Sequence, residues 1–206
     1  MIGILDYGLG NVTAFANIFS RLGVQARLVR SAEEVDQSDR LILPGVGAFD
    51  WAMARLNSSG LRDAVERAVQ VQHRPILGVC VGMQMMLESS EEGSTPGLAW
   101  LPGRVEKFVA PVGAPHFALP HMGWNDVTPS IGHHLFHGID VPRYYFLHSY
   151  RVVPSVREHV IATSDYYGAF AAAIGNGNVI GTQFHPEKSH EFGIRLLNNF
   201  ASLAPC

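Results

Sequence analysis

A chain of 206 residues with 47% hydrophobic and 16% charged content is long enough for one well-buried core, and a single domain over residues 1–206 is expected. A formal net charge of -3 and a pI near 6.3 leave no electrostatic footprint for nucleic acid or an anionic membrane. Two cysteines, Cys80 and Cys206, make no disulfide framework, the start has no basic signal-peptide region, and the longest mostly apolar run, Pro75 to Leu87, is too short for a bilayer, so a soluble, cytoplasmic chain is expected.

In chain order, Ile2 to Leu5 reads as a buried strand, Val12 to Leu22 as a helix closed by Gly23, and Val24 to Val29 as a second strand. Ser31 with Glu34 is a capping-box pattern for a short helix. Leu41 to Leu43 is a third strand, broken by Pro44-Gly45-Val46-Gly47 before a helical pattern from Ala48 to Leu56. Leu61 to Gln72 is amphipathic, and Ile76 to Val79 is a fourth strand that turns at Cys80 into a helix-like segment, Met83 to Glu88. After Gly93 the texture becomes β-rich: Leu98 to Val109, Met122 to Val127, Tyr144 to Val153, Val160 to Ser164 and Val179 to Phe184, then a final amphipathic helix from Ser189 to Leu203. The expected fold is α/β: a mostly parallel open sheet with helices on both faces, followed by an antiparallel β-rich second half. The strand ends near Asp6, Pro44 and Cys80 then share one edge, where open α/β sheets bind ligands.

The stretch Gly78-Val79-Cys80-Val81-Gly82 puts a thiol at the apex of a strand, sharp turn and helix. Such a turn needs small neighbours because a Cβ would crowd the strand or the helix, and unpaired N–H groups at a helix start stabilise a thiolate. A thiolate attacking a carbonyl also needs an acid/base and an orienter. His185-Pro186-Glu187 supplies both at one strand end, where alternate side chains of an extended chain share a side. The backbone N–H of Val81 and the Gly45-Val46-Gly47 stretch are candidate oxyanion donors, and Gln84 follows Cys80 on the same helix face.

Other patterns carry less. Gly8-Leu9-Gly10 lacks the third glycine of a dinucleotide fingerprint, because position 13 is Thr. His133, His134 and His137 read as a polar turn rather than a metal site, and Met83, Met85 and Met86 read as core.

Gly-x-Cys-x-Gly-Met-Gln at 78–84 with His185-Pro186-Glu187 resembles the class I, triad-type glutamine amidotransferases. The stretches 6–11, 44–49, 122–125 (Met-Gly-Trp-Asn), 146–150 (Phe-Leu-His-Ser-Tyr) and 181–189 are similar to the glutaminase subunit of imidazole glycerol phosphate synthase, over residues 2 to about 200. Val81 stands where that family usually has Leu.

The resemblance implies a flavodoxin-like fold and hydrolysis of L-glutamine to glutamate and ammonia, without metal or other cofactor. It implies Cys80 as nucleophile, His185 as acid/base, Glu187 as orienter, and Gln84, Glu92, Ser149 and Tyr150 around the substrate's amino-acid end. The ammonia would pass to a separate (β/α)8-barrel cyclase in a heterodimer, for which this chain has no room of its own. Asn11, Tyr145 and Lys188 are the candidates for the contact surface. A catalytically silent subunit would be expected to lack one of Cys80, His185 and Glu187, and Pro44-Gly45-Val46-Gly47 differs from the Gly-Gly-rich versions of anthranilate-type or pyridoxal-phosphate-synthase glutaminases.

Overall fold

The computed structural model describes residues 1–114 and 116–203, so Cys206 lies outside the described residues. β1 (Ile2–Leu5), β2 (Ala26–Val29), β3 (Arg40–Gly45) and β4 (Ile76–Cys80) alternate with α1 (Val12–Arg21), α2 (Ala32–Asp36), α3 (Phe49–Ser58) and α4 (Arg62–Glu66). β1 and β4 are buried at every position, as strands covered on both faces must be. On the covering layers α1 contacts a C-terminal helix (His190–Ala201), and α2 contacts α4. The Ser31–Glu34 capping box opens α2, with both reciprocal bonds present.

The rest of the chain contributes α5 (Val81–Gln84), β5 (Ser89–Ser90), β6 (Gly103–Lys107), β7 (His121–Asp126), β8 (Thr128–Pro129), β9 (Arg143–His148), β10 (Tyr150–Pro154), β11 (Val160–Asp165), β12 (Ala169–Asn176), β13 (Val179–Thr182) and α6 (His190–Ala201). The main sheet is eight-stranded, in the order β2-β1-β3-β4-β13-β12-β11-β8. Its pairs are parallel from β2 to β13 and antiparallel from β13 onward. β5, β6 and β10 form a small sheet, and β7 pairs with β9 in another. The expected class, mostly parallel with a β-rich second half, is the one observed.

Several expected elements are redrawn. β12 was not anticipated: its core, Phe170-Ala171-Ala172-Ala173-Ile174, is rich in alanine, a poor strand former in isolation. Its place between β11 and β13 makes it a strand, and its interior is buried throughout. The helix expected over Met83 to Glu88 is a single turn, Val81–Gln84, because the Met85, Met86 and Leu87 carbonyls accept from the N–H groups of Leu98, Trp100, Leu101 and Ala99 instead. The helix over Leu61 to Gln72 relaxes after Glu66 into a π turn, Arg67–Val71. Tyr144 to Val153 divides at Ser149 into β9 and β10, which belong to different sheets. No helix among the described residues is long and apolar enough to cross a membrane.

Candidate active site

Cys80 ends β4 with φ 56° and ψ -113°, in the left-handed half of conformational space that side chains rarely adopt. The glycines around it explain how this is held. A Cβ on Gly82 would overlap the Leu43 carbonyl, one on Gly45 would overlap the Gly82 N–H, and one on Gly78 would come within 2.6 Å of the Met86 methyl. β3, β4 and α5 are thus in contact closer than any other residue permits, and the turn is driven outward with the thiol on it. Because α5 has four residues, its contribution at Cys80 comes from local N–H groups rather than a long macrodipole.

The neighbouring strand end is built by β3. Tyr7, buried at the end of β1, donates its hydroxyl to the Pro44 carbonyl, and burial holds the phenol well above its usual pKa, so it stays a donor. Beyond Pro44 and Gly45, Val46 is exposed, Gly47 has φ 83°, and both line the cavity with Cys80 and Val81. Among the described residues, no protein acceptor takes the N–H of Val46 or Gly47.

His185 reaches the cavity differently from the route expected. β13 stops at Thr182, and Pro186–Lys188 forms a 3-10 turn, so Glu187 is not two places along a strand from His185. Proline has no N–H to continue a ladder and suits the first turn of a helix, and the turn folds the carboxylate back under the ring. Glu187 Oε1 lies 2.8 Å from His185 Nδ1, with both side chains 3% exposed. The turn is pinned to β9: His185 N–H donates to the Tyr145 carbonyl at 2.9 Å, Tyr145 N–H donates to Ser189 Oγ at 3.0 Å, and Ser189 Oγ–H donates to the His185 carbonyl at 2.6 Å. Phe184, fully buried, stacks on Tyr144 with ring centres 3.9 Å apart. Burial alone pushes the His185 pKa down, but hydrogen bonding and charge from Cys80 and Glu187 outweigh it and carry it up to about 9. The protonated ring is thus favoured by its two partners.

A cavity of about 270 Å³ is lined by Cys80, Val81, His185, Val46, Gly47, Gln84, Glu92, His148, Ser149, Tyr150 and Lys188, among others. The structure therefore gathers the expected nucleophile, acid/base, oxyanion stretch and substrate residues around one space. Some carry additional duties. Glu92 accepts from Phe49 N–H at 2.9 Å and so caps α3, whose own Ala48 offers no side-chain cap. Gln84 is 2% exposed and its amide donates to Gln183 Oε1 at 3.1 Å. Gln183, Tyr7 and His148 were missed as site residues; each is buried and was legible only as part of a longer motif.

Of the surface candidates, Lys188 lies on the cavity rim with its ammonium 6.0 Å from the centre of the Tyr145 ring. Asn11 stands apart from the cavity lining and caps α1, accepting from Ala14 N–H at 3.2 Å. Two larger clefts, of about 450 and 600 Å³, border α6 and hold neither Cys80 nor His185. His133, His134 and His137 line the second, around a 3-10 turn.

Residues 3–203 match the family described as glutamine amidotransferase class-I. The chain is 50% identical over 204 residues, 98% of its length and 100% of the relative's, to the imidazole glycerol phosphate synthase subunit HisH of Bdellovibrio bacteriovorus. It is 46% identical, with the same coverage, to the subunit of that name from Leptospira interrogans. Among solved structures, a glutamine amidotransferase superposes with TM-score 0.75 at 20% identity, covering 98% of this chain and 99% of that one. PurLQS from Thermotoga maritima does so with TM-score 0.72 at 17% identity, covering 97% and 96%. At those identities the two structures speak for the fold, while the sequence relatives speak for the family: this chain belongs to the class-I glutamine amidotransferases, among the HisH subunits of imidazole glycerol phosphate synthase.

Proposed function

We propose that this chain, acting as one glutaminase domain, hydrolyses L-glutamine to glutamate and ammonia with Cys80, His185 and Glu187 as its catalytic unit. The observation that carries the reading is the meeting of a strained, cavity-facing thiol with a buried imidazolium held at 2.8 Å by a carboxylate. The Cys80 sulfur attacks the side-chain amide carbon of glutamine, and the carbonyl oxygen becomes an oxyanion facing the N–H of Val81 and the Val46–Gly47 stretch. His185, protonated by virtue of its raised pKa, gives its proton to the leaving nitrogen, and ammonia departs from a glutamyl thioester. The now neutral ring takes a proton from water, the hydroxide adds to the thioester carbon, and collapse frees glutamate and the thiol. Glu187 keeps Nδ1 as the bonded nitrogen throughout, so Nε2 is the one that exchanges protons.

Glu92, Ser149, Tyr150 and Gln84 surround the amino-acid end of the substrate in this reading. The ammonia is passed to a (β/α)8-barrel cyclase subunit that makes imidazole glycerol phosphate and an aminoimidazole carboxamide ribotide in histidine biosynthesis. Asn11, Tyr145 and Lys188 contribute to the face that receives it. The exposed Met122, Trp124 and Leu147 support an interface on this side.

The test is glutamate release by the purified chain, alone and with its cyclase and cyclase ligand. Low turnover alone and a large rise with the partner are expected. Equal rates would remove the coupling, and no turnover in either setting would remove the glutaminase assignment.

A further inference from the structure

Two runs of hydrogen bonds behind the cavity meet at the Tyr150 carbonyl, which accepts from His148 on one side and from Gln84 on the other, and the second run reaches the nucleophile. Asn125 is oriented by its neighbours: its Oδ1 accepts from Asp126 N–H at 2.8 Å and its Nδ2 donates to the Asp165 carbonyl at 2.7 Å. The second Nδ2 hydrogen is directed at His121 Nε2, 3.3 Å away. At the other end His148 Nδ1 is 2.8 Å from the Tyr150 carbonyl, which can only accept, so Nδ1 carries the proton. A neutral His148 then has an unprotonated Nε2, and the 2.9 Å contact with His121 Nδ1 requires the hydrogen to be on His121. Both rings are neutral: burial pushes His121 down to about 4 and His148 to about 3. Phe146 and Tyr166 stack on His121, with centres 4.9 and 4.2 Å away, and keep the ring plane from turning.

The Tyr150 carbonyl held in this way is also 3.4 Å from Gln84 Nε2, and the same nitrogen is 3.1 Å from Gln183 Oε1. With both Gln84 hydrogens directed to acceptors, its amide cannot flip without losing two bonds. Gln183 Oε1 is therefore fixed as the acceptor of that pair, and its Nε2 is left pointing at Cys80 Sγ, 3.7 Å away. Gln183 is fully buried, so no solvent molecule competes for that donor.

We propose that Gln183 is a further catalytic residue that stabilises the Cys80 thiolate by donating its side-chain amide to the sulfur, and that Gln84, Tyr150, His148, His121 and Asn125 are the positioning residues that aim it. The proposal rests on Cys80 acting as the nucleophile. A donor to a charged acceptor strengthens as the charge forms, and a buried one whose orientation is already set costs no reorganisation. The expulsion of the same sulfur from the thioester regains the bond in the second half of the reaction.

The test is the pH dependence of iodoacetamide alkylation, followed at the Cys80 peptide by mass spectrometry so that Cys206 does not contribute. Gln183→Met keeps the volume and removes the donor. It is expected to move the alkylation profile to higher pH and to lower kcat by about ten- to a hundredfold, the scale of one lost bond to a charged group, with KM little changed. Gln183→Glu keeps the shape and replaces the donor with a carboxylate, and is expected to move the profile further. In the unmodified chain, imidazole 15N spectra are expected to show His121 and His148 protonated on Nδ1 and bare on Nε2. A profile for folded Gln183→Met that superimposes on that of the parent chain, or a His148 protonated on Nε2, would overturn the proposal. If the parent chain released no glutamate from glutamine either alone or with its cyclase and cyclase ligand, the glutaminase reading would fall, while the alkylation and 15N experiments would still decide the Gln183 contact.

Discussion

Cys80 and His185 face the same cavity from backbones of opposite character. Cys80 sits at φ 56°, held from outside by three glycines whose missing side chains let β3, β4 and α5 touch. His185 sits at φ -99° on ordinary extended backbone and is held by polar contacts: Glu187 on its ring, Tyr145 and Ser189 on its main chain. The nucleophile is positioned by steric exclusion, which has no intermediate setting. The acid/base is positioned by hydrogen bonds and charge, which weaken by degrees and respond to pH.

That contrast is testable from both sides. Removing the sulfur, Cys80→Ala, should abolish glutamine turnover, on the order of 10⁶-fold as for other catalytic units, and leave circular dichroism unchanged. His185→Ala should cost about as much. Full glutaminase activity in either variant would refute the shared unit. Glu187→Gln, measured by kcat, should cost roughly 10⁴-fold because the ring survives but loses the carboxylate that orients it.

On the steric side, Gly82→Ala drives a methyl into the Leu43 carbonyl and should lower stability by about 1–3 kcal/mol, read as a fall in the urea midpoint at constant slope. A neutral result would show that the elbow gives way more easily than its geometry implies. On the polar side, kcat/KM should fall by roughly tenfold per pH unit above about 9, as His185 loses its proton. The folded-state pKa lies above the ordinary value of 6.5, so the proton's contribution to stability is complete below about 6.5 and disappears as pH rises through about 9. In Glu187→Gln the upper limit should move to lower pH, while the lower one, set by the unfolded chain, stays. The smallest effect is expected at Asn11→Ala, which removes the α1 cap and should cost about 1 kcal/mol in thermal unfolding.

Much of the first half was legible because its signals are local. Apolar runs mark β1, β3 and β4, Ser31 and Glu34 mark the start of α2, and the glycines of 78–82 announce a turn that needs them. The second half was harder to parse because its strands belong to three sheets and their neighbours are distant in sequence. Alanines made β12 look unlike a strand, and only its two partners make it one. His185 and Glu187 were correctly paired from their spacing but for the wrong local reason, since a 3-10 turn and not a strand brings them together.

By itself, the sequence specified a thiol on an elbow, an imidazole with a carboxylate two residues away, and an alternation of strand and helix that calls for a parallel sheet. All of these depend on steric and periodic rules acting over a few residues. Which groups would be dry, and which way each amide and imidazole would point, was decided only by the tertiary structure. Cys80 and Glu187 hold the proton on His185 against its burial, burial keeps His121 and His148 neutral, and packing leaves the Gln183 amide aimed at Cys80. Those outcomes depend on partners as far apart in the chain as Cys80 and Gln183, and on the low dielectric they jointly enclose.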